Sequence, residues 1–374
     1  MARTSIARRF RTPQLAALLL LLAFAVQAVY LASRTPLSER ELQFISAQER
    51  GFSASLGAET GDHPFVPLSS PLTSLAARSL VAIGARAWTV RAPFMIFGLL
   101  LGACVWYIAS RLYGAAGGYV ALTLFAFSPT MITYAARVAP EIVAAWGVFG
   151  CIFTGIAVAH TLYAPREVVL WNWRRILLLG LAIAIATGAE FTAVLTVVIV
   201  LALMLYLVPE RRSAAVVIMA AACVVGLVIL AAVYRFRFAD LFAAASALSG
   251  WTGSVLASPA IWLMVGRFLL NNGPGFILLL AVSLVSYFLW RRTRFFGNSA
   301  PLIVAVALVA AGLGLPHSAG FSFLVLALPF LFVFVAGVTA DLLQSSQQVL
   351  VQGALIAILL AHAYFSMAGL ARLS

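Results

Sequence analysis

The chain has 374 residues, is 64% hydrophobic and only 9% charged, and has a mean hydropathy of +1.07. Soluble domains carry roughly 25% charged residues, so this composition excludes an ordinary soluble fold and points to an integral membrane protein with many spans. The net charge of +13 does not imply a nucleic-acid partner, because the basic residues, all 24 of them Arg, lie scattered between apolar blocks where they set orientation and meet anionic headgroups.

Taken in order, about eleven apolar stretches are expected to span: 14–33, 92–110, 117–134, 141–162, 175–188, 191–208, 214–233, 274–290, 300–316, 321–340 and 349–369. The first is longer than the apolar core of a signal peptide and reads as a retained helix. Arg3, Arg8, Arg9 and Arg11 precede it, and Arg111, Arg166, Arg174, Arg175, Arg211, Arg212, Arg291, Arg292 and Arg294 fall in alternate short loops. This bias predicts a cytoplasmic N-terminus. The fold expected is therefore all-α and polytopic, one transmembrane domain over residues 1–374 without a separate soluble domain. Two longer outer loops, 34–91 and 234–273, carry interfacial helices, with Trp251 and Trp262 at headgroup level. Cys104, Cys151 and Cys223 lie inside apolar runs without metal-ligand spacing and read as packing residues.

In this topology eight of the 11 acidic residues fall outside: Glu39, Glu41, Glu49, Glu59, Asp62, Glu141, Glu190 and Asp240. Acidic residues contribute little to orientation, so the clustering calls for another cause. In TPLSEREL, Ser38 can N-cap a helix over 39–50 with Glu39 and Glu41 in its first turn, or these carboxylates can do chemistry. Arg137 and Glu141 flank Pro140 at the outer mouth of the fourth span, as anchors or as a site. Glu190 sits between two short spans, where an acid is expensive unless paired or hydrated. His63 and His317 are outer histidines that could join carboxylates at a metal, without a spacing signature.

Several stretches in sequence order resemble the GT-C superfamily of polyprenyl-phosphate-dependent glycosyltransferases, near its ArnT and protein-mannosyltransferase-like members. They are Arg91-Ala92-Pro93, Arg111-Leu112-Tyr113-Gly114, Ser128-Pro129 and the Arg137-to-Glu141 pattern, with HPFVPL from His63 and a late Leu-Pro-Phe. The resemblance touches most of the first 210 residues and a patch after 315. It implies a membrane enzyme of the bacterial-type inner membrane, acting at the outer face on a lipid-linked sugar donor and a lipid, glycan or protein acceptor. The family's catalytic acid follows the first span, commonly as Asp-Glu. Here Ser38-Glu39 stands in that place, or Glu41 in a shifted register, so Glu39 and Glu41 are the expected bases. Arg91, Arg137, Arg235, Arg237 and Arg267 are candidates for the donor phosphate, and His63, Glu141 and Glu190 for further substrate contacts. A divalent cation is a candidate cofactor, with Glu141 and His317 as ligands. Glu190 stands where the family often has Lys or Arg, and the periplasmic domain of some larger members has no counterpart in these residues. The alternative is a catalytically inactive GT-C-like subunit that scaffolds a larger complex with membrane-protein partners. A transporter is a third reading, resting on the short spans and Glu190.

Overall fold

The computed structural model describes residues 12–39, 41–42, 87–163, 173–233, 236, 258–314, 317–345 and 347–373. Twelve α-helices are named here: α1 (Thr12–Arg34), α2 (Ala87–Ala126), α3 (Pro129–Ala135), α4 (Pro140–Thr161), α5 (Trp173–Ala189), α6 (Leu195–Leu207), α7 (Arg212–Val233), α8 (Pro259–Leu270), α9 (Pro274–Leu289), α10 (Phe296–Leu313), α11 (His317–Leu342) and α12 (Gln348–Leu373). Among the described residues there is no strand. In lipid this follows from the backbone, whose amides and carbonyls must be satisfied within each segment.

The apolar stretches expected to span fall on helices, except that 117–134 runs across the break at Ser128 into α3 and the end of 300–316 lies outside the described residues. Among the described residues seven helices can cross a membrane by length and composition, and eight if α8 and α9, bent by 115° at their junction, form one span, against the eleven expected. The chain is thus a multi-pass, all-helical membrane protein. Most of the two long loops, including Trp251, lies outside the described residues, while Trp262 on α8 is exposed.

The stretches 92–110 and 117–134 meet inside α2, which breaks at Gly114. There φ is 77°, a left-handed conformation that glycine adopts without a Cβ penalty. Tyr113, just before the break, donates its hydroxyl to the Gly297 carbonyl (2.6 Å), which ties this bend to the start of α10. The second limb ends at Ser128, whose Oγ accepts from the Met131 amide and caps α3, with Pro129 in the first helical position.

α11 is the central post. Its apolar window is 94% buried, whereas those of α1, α7 and α12 are 28, 28 and 22% buried. A helix apolar on all sides belongs in the interior of a bundle, and Phe323, Phe330, Phe332 and Phe334 supply its packing. Around it α4 and α5 pack antiparallel through small residues: a Cβ on Gly147 would meet the Ala186 backbone nitrogen at 2.5 Å. Lipid tails are as apolar as the helices, so such close backbone contact replaces the hydrophobic drive that operates in water. At helix ends Arg111 lies over Tyr107, Arg174 over Trp173 and Arg292 over Trp290, each within 5.7 Å of the ring centre.

Gly147→Ala is expected to lower the stability of the detergent-purified protein by about 1–3 kcal/mol through overpacking. Gly353→Ala, at a helical glycine with open space around it, should leave stability unchanged or raise it by up to about 1 kcal/mol. Thermal unfolding of the two variants side by side distinguishes close packing from a general glycine effect.

Candidate functional site

The residues after α1 are held by one guanidinium. α1 ends at Arg34, and the last carbonyls of a helix have no partner of their own. Arg91, in the second turn of α2, supplies them. Its Nη1 donates to the Ala32 carbonyl (2.7 Å) and to the Thr35 carbonyl and hydroxyl (2.9 and 3.1 Å). Nη2 donates to the Pro36 carbonyl (3.0 Å). A cation also suits the negative end of the α1 dipole.

The rest of the fork goes to Glu41. Arg91 Nε donates to Oε1 and Nη2 to Oε2, each at 2.7 Å. The arginine is 1% and the glutamate 2% exposed. This bidentate geometry is the one that arginine offers and lysine does not. Glu41 also closes a capping box. Its Oε2 accepts from the Ser38 amide (2.9 Å) and hydroxyl (3.1 Å), while its own amide donates back to Ser38 Oγ (3.3 Å). Oε1 accepts in addition from the Val138 amide (3.1 Å), in the turn between α3 and α4. A buried charge is tolerated where pairing and hydrogen bonds replace water, and here both partners are satisfied.

The pair therefore joins the end of α1, the first turn of the long loop, the start of α2 and the α3–α4 turn. It also assigns roles that the sequence left open. Arg91 has no donor left for a phosphate. Glu41 has its carboxylate engaged on every side: burial raises its pKa, but the Arg91 hydrogen bonds and the Ser38 and Val138 amides outweigh that and hold it at about 2. A carboxylate so acidic is a poor proton acceptor at neutral pH. Glu39, two residues earlier in the same helical turn, is exposed.

The other candidates sort as follows. Arg137 is exposed, next to the Val138 that contacts Glu41. Glu141 opens α4 after Pro140 and is buried at 4% exposure. Glu190 is also buried, in the turn between α5 and α6, where its Oε1 accepts from the Thr192 hydroxyl at 2.9 Å. Since Gly147 opposes Ala186, both acids lie at the same end of the α4–α5 pair. Arg267, in the last turn of α8, is exposed. His317 opens α11, and His63, Arg235 and Arg237 lie outside the described residues. Among the described residues no three His, Cys, Asp or Glu side chains group into a metal site, and the side chain of His317 lies outside what is described.

The sequence offered Ser38 as an N-cap with Glu41 in the first turn, but not the reciprocal bond of the box or the pairing of Glu41 with Arg91. The Val138 amide carried no sequence signal, because it acts through its backbone.

The Glu41 pKa sets a pH dependence. Its folded value lies below its ordinary 4.5, so the stabilisation is present above pH 4.5 and is lost as pH falls toward 2. Thermal unfolding in detergent between pH 7 and 3 should show this fall in the native chain, and Glu41→Gln should flatten it. An unchanged slope in Glu41→Gln would assign the acid sensitivity elsewhere.

The profile of the dolichyl-phosphate-mannose-protein mannosyltransferase family matches residues 62–236. Among curated proteins no relative matches. Among solved structures, the archaeal oligosaccharyltransferase AglB from Archaeoglobus fulgidus, in complex with an inhibitory peptide and a dolichol-phosphate, is similar over 98% of this chain and 56% of its own. The identity is 13% and the TM-score 0.57, and this chain spans just over half the length of that enzyme. ArnT from Cupriavidus metallidurans, in the apo state, matches 87% of this chain and 77% of its own, at 13% identity and a TM-score of 0.43. The chain is thus similar to that mannosyltransferase family over residues 62–236, and over nearly its whole length it shares the fold of AglB.

Proposed function

We propose that this protein is a membrane glycosyltransferase. It moves a sugar from a polyprenyl-phosphate donor to an acceptor hydroxyl at the outer face of a bacterial-type inner membrane. The observation that carries the reading is the first loop of a GT-C fold, where Glu39 is exposed on a helical turn that Glu41 and Arg91 hold rigid. A base on such a support keeps its geometry without ordering a free loop at each turnover.

In this mechanism Glu39 accepts the proton of the acceptor hydroxyl as its oxygen bonds to the anomeric carbon. The bond from that carbon to the phosphate oxygen breaks, and the polyprenyl phosphate leaves with the electron pair. Charge grows on the phosphate, and Arg137 and Arg267, both exposed, are candidates to meet it. His63, Arg235 and Arg237 remain candidates for substrate contacts. Glu41 and Arg91 act as positioning residues, and Glu141 and Glu190 as buried acids of the wall.

A second reading, a non-catalytic subunit that scaffolds a larger membrane complex, has one observation in its favour. Ser38 stands where the resemblance expects an acid, and it is engaged in the capping box with Glu41. The two readings separate in one experiment. Purified protein in nanodiscs is supplied with polyprenyl-phosphate hexoses and pentoses and a membrane-lipid extract, and release of polyprenyl phosphate is followed. The transferase reading expects release by the native chain and a fall of about 100-fold or more in Glu39→Gln at equal protein yield. Full activity in Glu39→Gln would remove it as the base. Absence of release with every donor, together with a stoichiometric protein partner on purification, would favour the scaffold.

A further inference from the structure

The end of the bundle opposite the Arg91–Glu41 corner carries a positive charge that the proposed reaction does not use. From Arg91 the first limb of α2 runs about 35 Å to its break at Gly114, roughly the thickness of a bilayer's hydrocarbon. The turn between α9 and α10 meets that break. Tyr113 donates to the Gly297 carbonyl, and its ring stands edge-on to Phe295 with centroids 6.5 Å apart. Arg111 on one side of this contact and Arg291, Arg292 and Arg294 on the other are all exposed.

The turn that presents these arginines is fixed. Arg294 Nε donates to the Tyr287 carbonyl at 2.9 Å and its Nη2 to the Phe288 carbonyl, which closes the end of α9. Thr293 Oγ1 donates to the Trp290 carbonyl at 2.7 Å, and Asn298 Nδ2 to the Thr293 carbonyl at 3.0 Å. Arg292 Nη2 donates to the Gln344 side chain, just past α11. A guanidinium has five donors, and these bonds use one on Arg292 and two on Arg294. α10 begins at Phe296 with no side chain capping its first amides, so the positive end of its dipole adds to the same place.

Acids do not balance this charge. Of the chain's 11 acids only Glu167, Glu210 and Asp341 fall on stretches that connect or end helices at this end. Asp341 accepts from Asn298 Nδ2 at 2.9 Å, Glu210 directly precedes Arg211 and Arg212, and Glu167 follows Arg166. Residues 1–11, which precede α1 at this end and lie outside the described residues, hold four more arginines and no acid. A sequence bias that sets orientation asks only that arginines lie on one side of the membrane. It does not ask that three share one fixed turn with a fourth brought up to it.

Below the turn lies an apolar track. Leu278, Val282, Val285 and Leu289 recur at helical spacing along α9 and are 49, 40, 57 and 79% exposed. This stripe leads along α9 to Arg291.

We propose that the α9–α10 turn and the α2 break together bind an anionic phospholipid. Its phosphate sits at the arginines of the turn and Arg111, and an acyl chain follows the α9 stripe. The chain contact is open to any lipid, so selectivity lies in the headgroup. A zwitterionic head brings its own cation, which these guanidiniums repel, and a soluble phosphate lacks the hydrocarbon. The proposal does not rest on sugar transfer, since a scaffold subunit could hold the same lipid.

The test is lipid retention by the full chain, measured by native mass spectrometry. Two probes with identical acyl chains are used, phosphatidylglycerol and phosphatidylcholine, and the first should be retained about tenfold better. Arg111→Gln combined with Arg291→Gln should cut phosphatidylglycerol retention about tenfold at an unchanged melting temperature, and leave phosphatidylcholine unaffected. The corresponding double change to Lys keeps the charge and should restore most of the retention. Arg174→Gln removes an exposed arginine from α5, which packs on α4 and α7, and should change retention less than about twofold. Equal retention of the two lipids would overturn the proposal. So would a loss in Arg174→Gln as large as in the double Gln variant, which would mean that net charge alone attracts the lipid. Displacement of phosphatidylglycerol by an equal concentration of glycerol 3-phosphate would also overturn it, as a site for the anion alone. Binding is read without turnover, so failure of sugar transfer leaves this result interpretable, and the reverse also holds.

Discussion

The ion pair between Arg91 and Glu41 is the constraint on which the candidate site depends. A helix that leaves the bilayer must satisfy its last carbonyls, and a loop that leaves it must satisfy its first amides. Arg91 does the first for α1, and the Ser38–Glu41 box does the second for the turn that follows. Joining the two through a bidentate pair makes the exit of the chain a fixed corner, and the Val138 amide fastens that corner to the mouth of α4. The Arg-x-Pro at the start of α2 thereby gains a physical meaning: its arginine closes the preceding helix.

Much of the fold was legible in the sequence because the bilayer leaves few alternatives. Apolar length located most of the helices, and the Arg111-to-Gly114 turn fell at one break, but the stretch 117–134 was read through Ser128-Pro129, where the chain in fact starts a new helix. The central place of α11 was less visible, since its composition differs little from that of α7, which stays largely exposed; what distinguishes it is its row of phenylalanines. The site was legible only in outline. The carboxylates after α1 were found, but both were given the same role. Their burial separates them, and burial here is set by Arg91, fifty residues further along the chain. No local pattern reports such a partner.

The same separation bears on how activity and fold divide in this chain. In this chain the fold at the exit of α1 uses Arg91, a capped turn and close helix packing. Activity needs a carboxylate that is both accessible and basic enough. Glu41 meets neither condition, and Glu39 is the described residue of the first loop that is accessible. In the proposed function the fold rests on Glu41 and the reaction on Glu39, two neighbouring glutamates that are chemically alike and environmentally opposite.

The central claim, that Arg91 and Glu41 act as one unit, is tested most directly by a double-mutant cycle on stability. Arg91→Leu, Glu41→Leu and the double variant are purified in the same detergent and unfolded by heat. Removing one partner strands the other as a buried charge, whereas removing both does not. The account predicts that the double variant is more stable than the sum of the single losses would make it, by about 2 kcal/mol or more. Additive losses would mean that the two side chains do not hold each other, and the fixed corner would have to be given up.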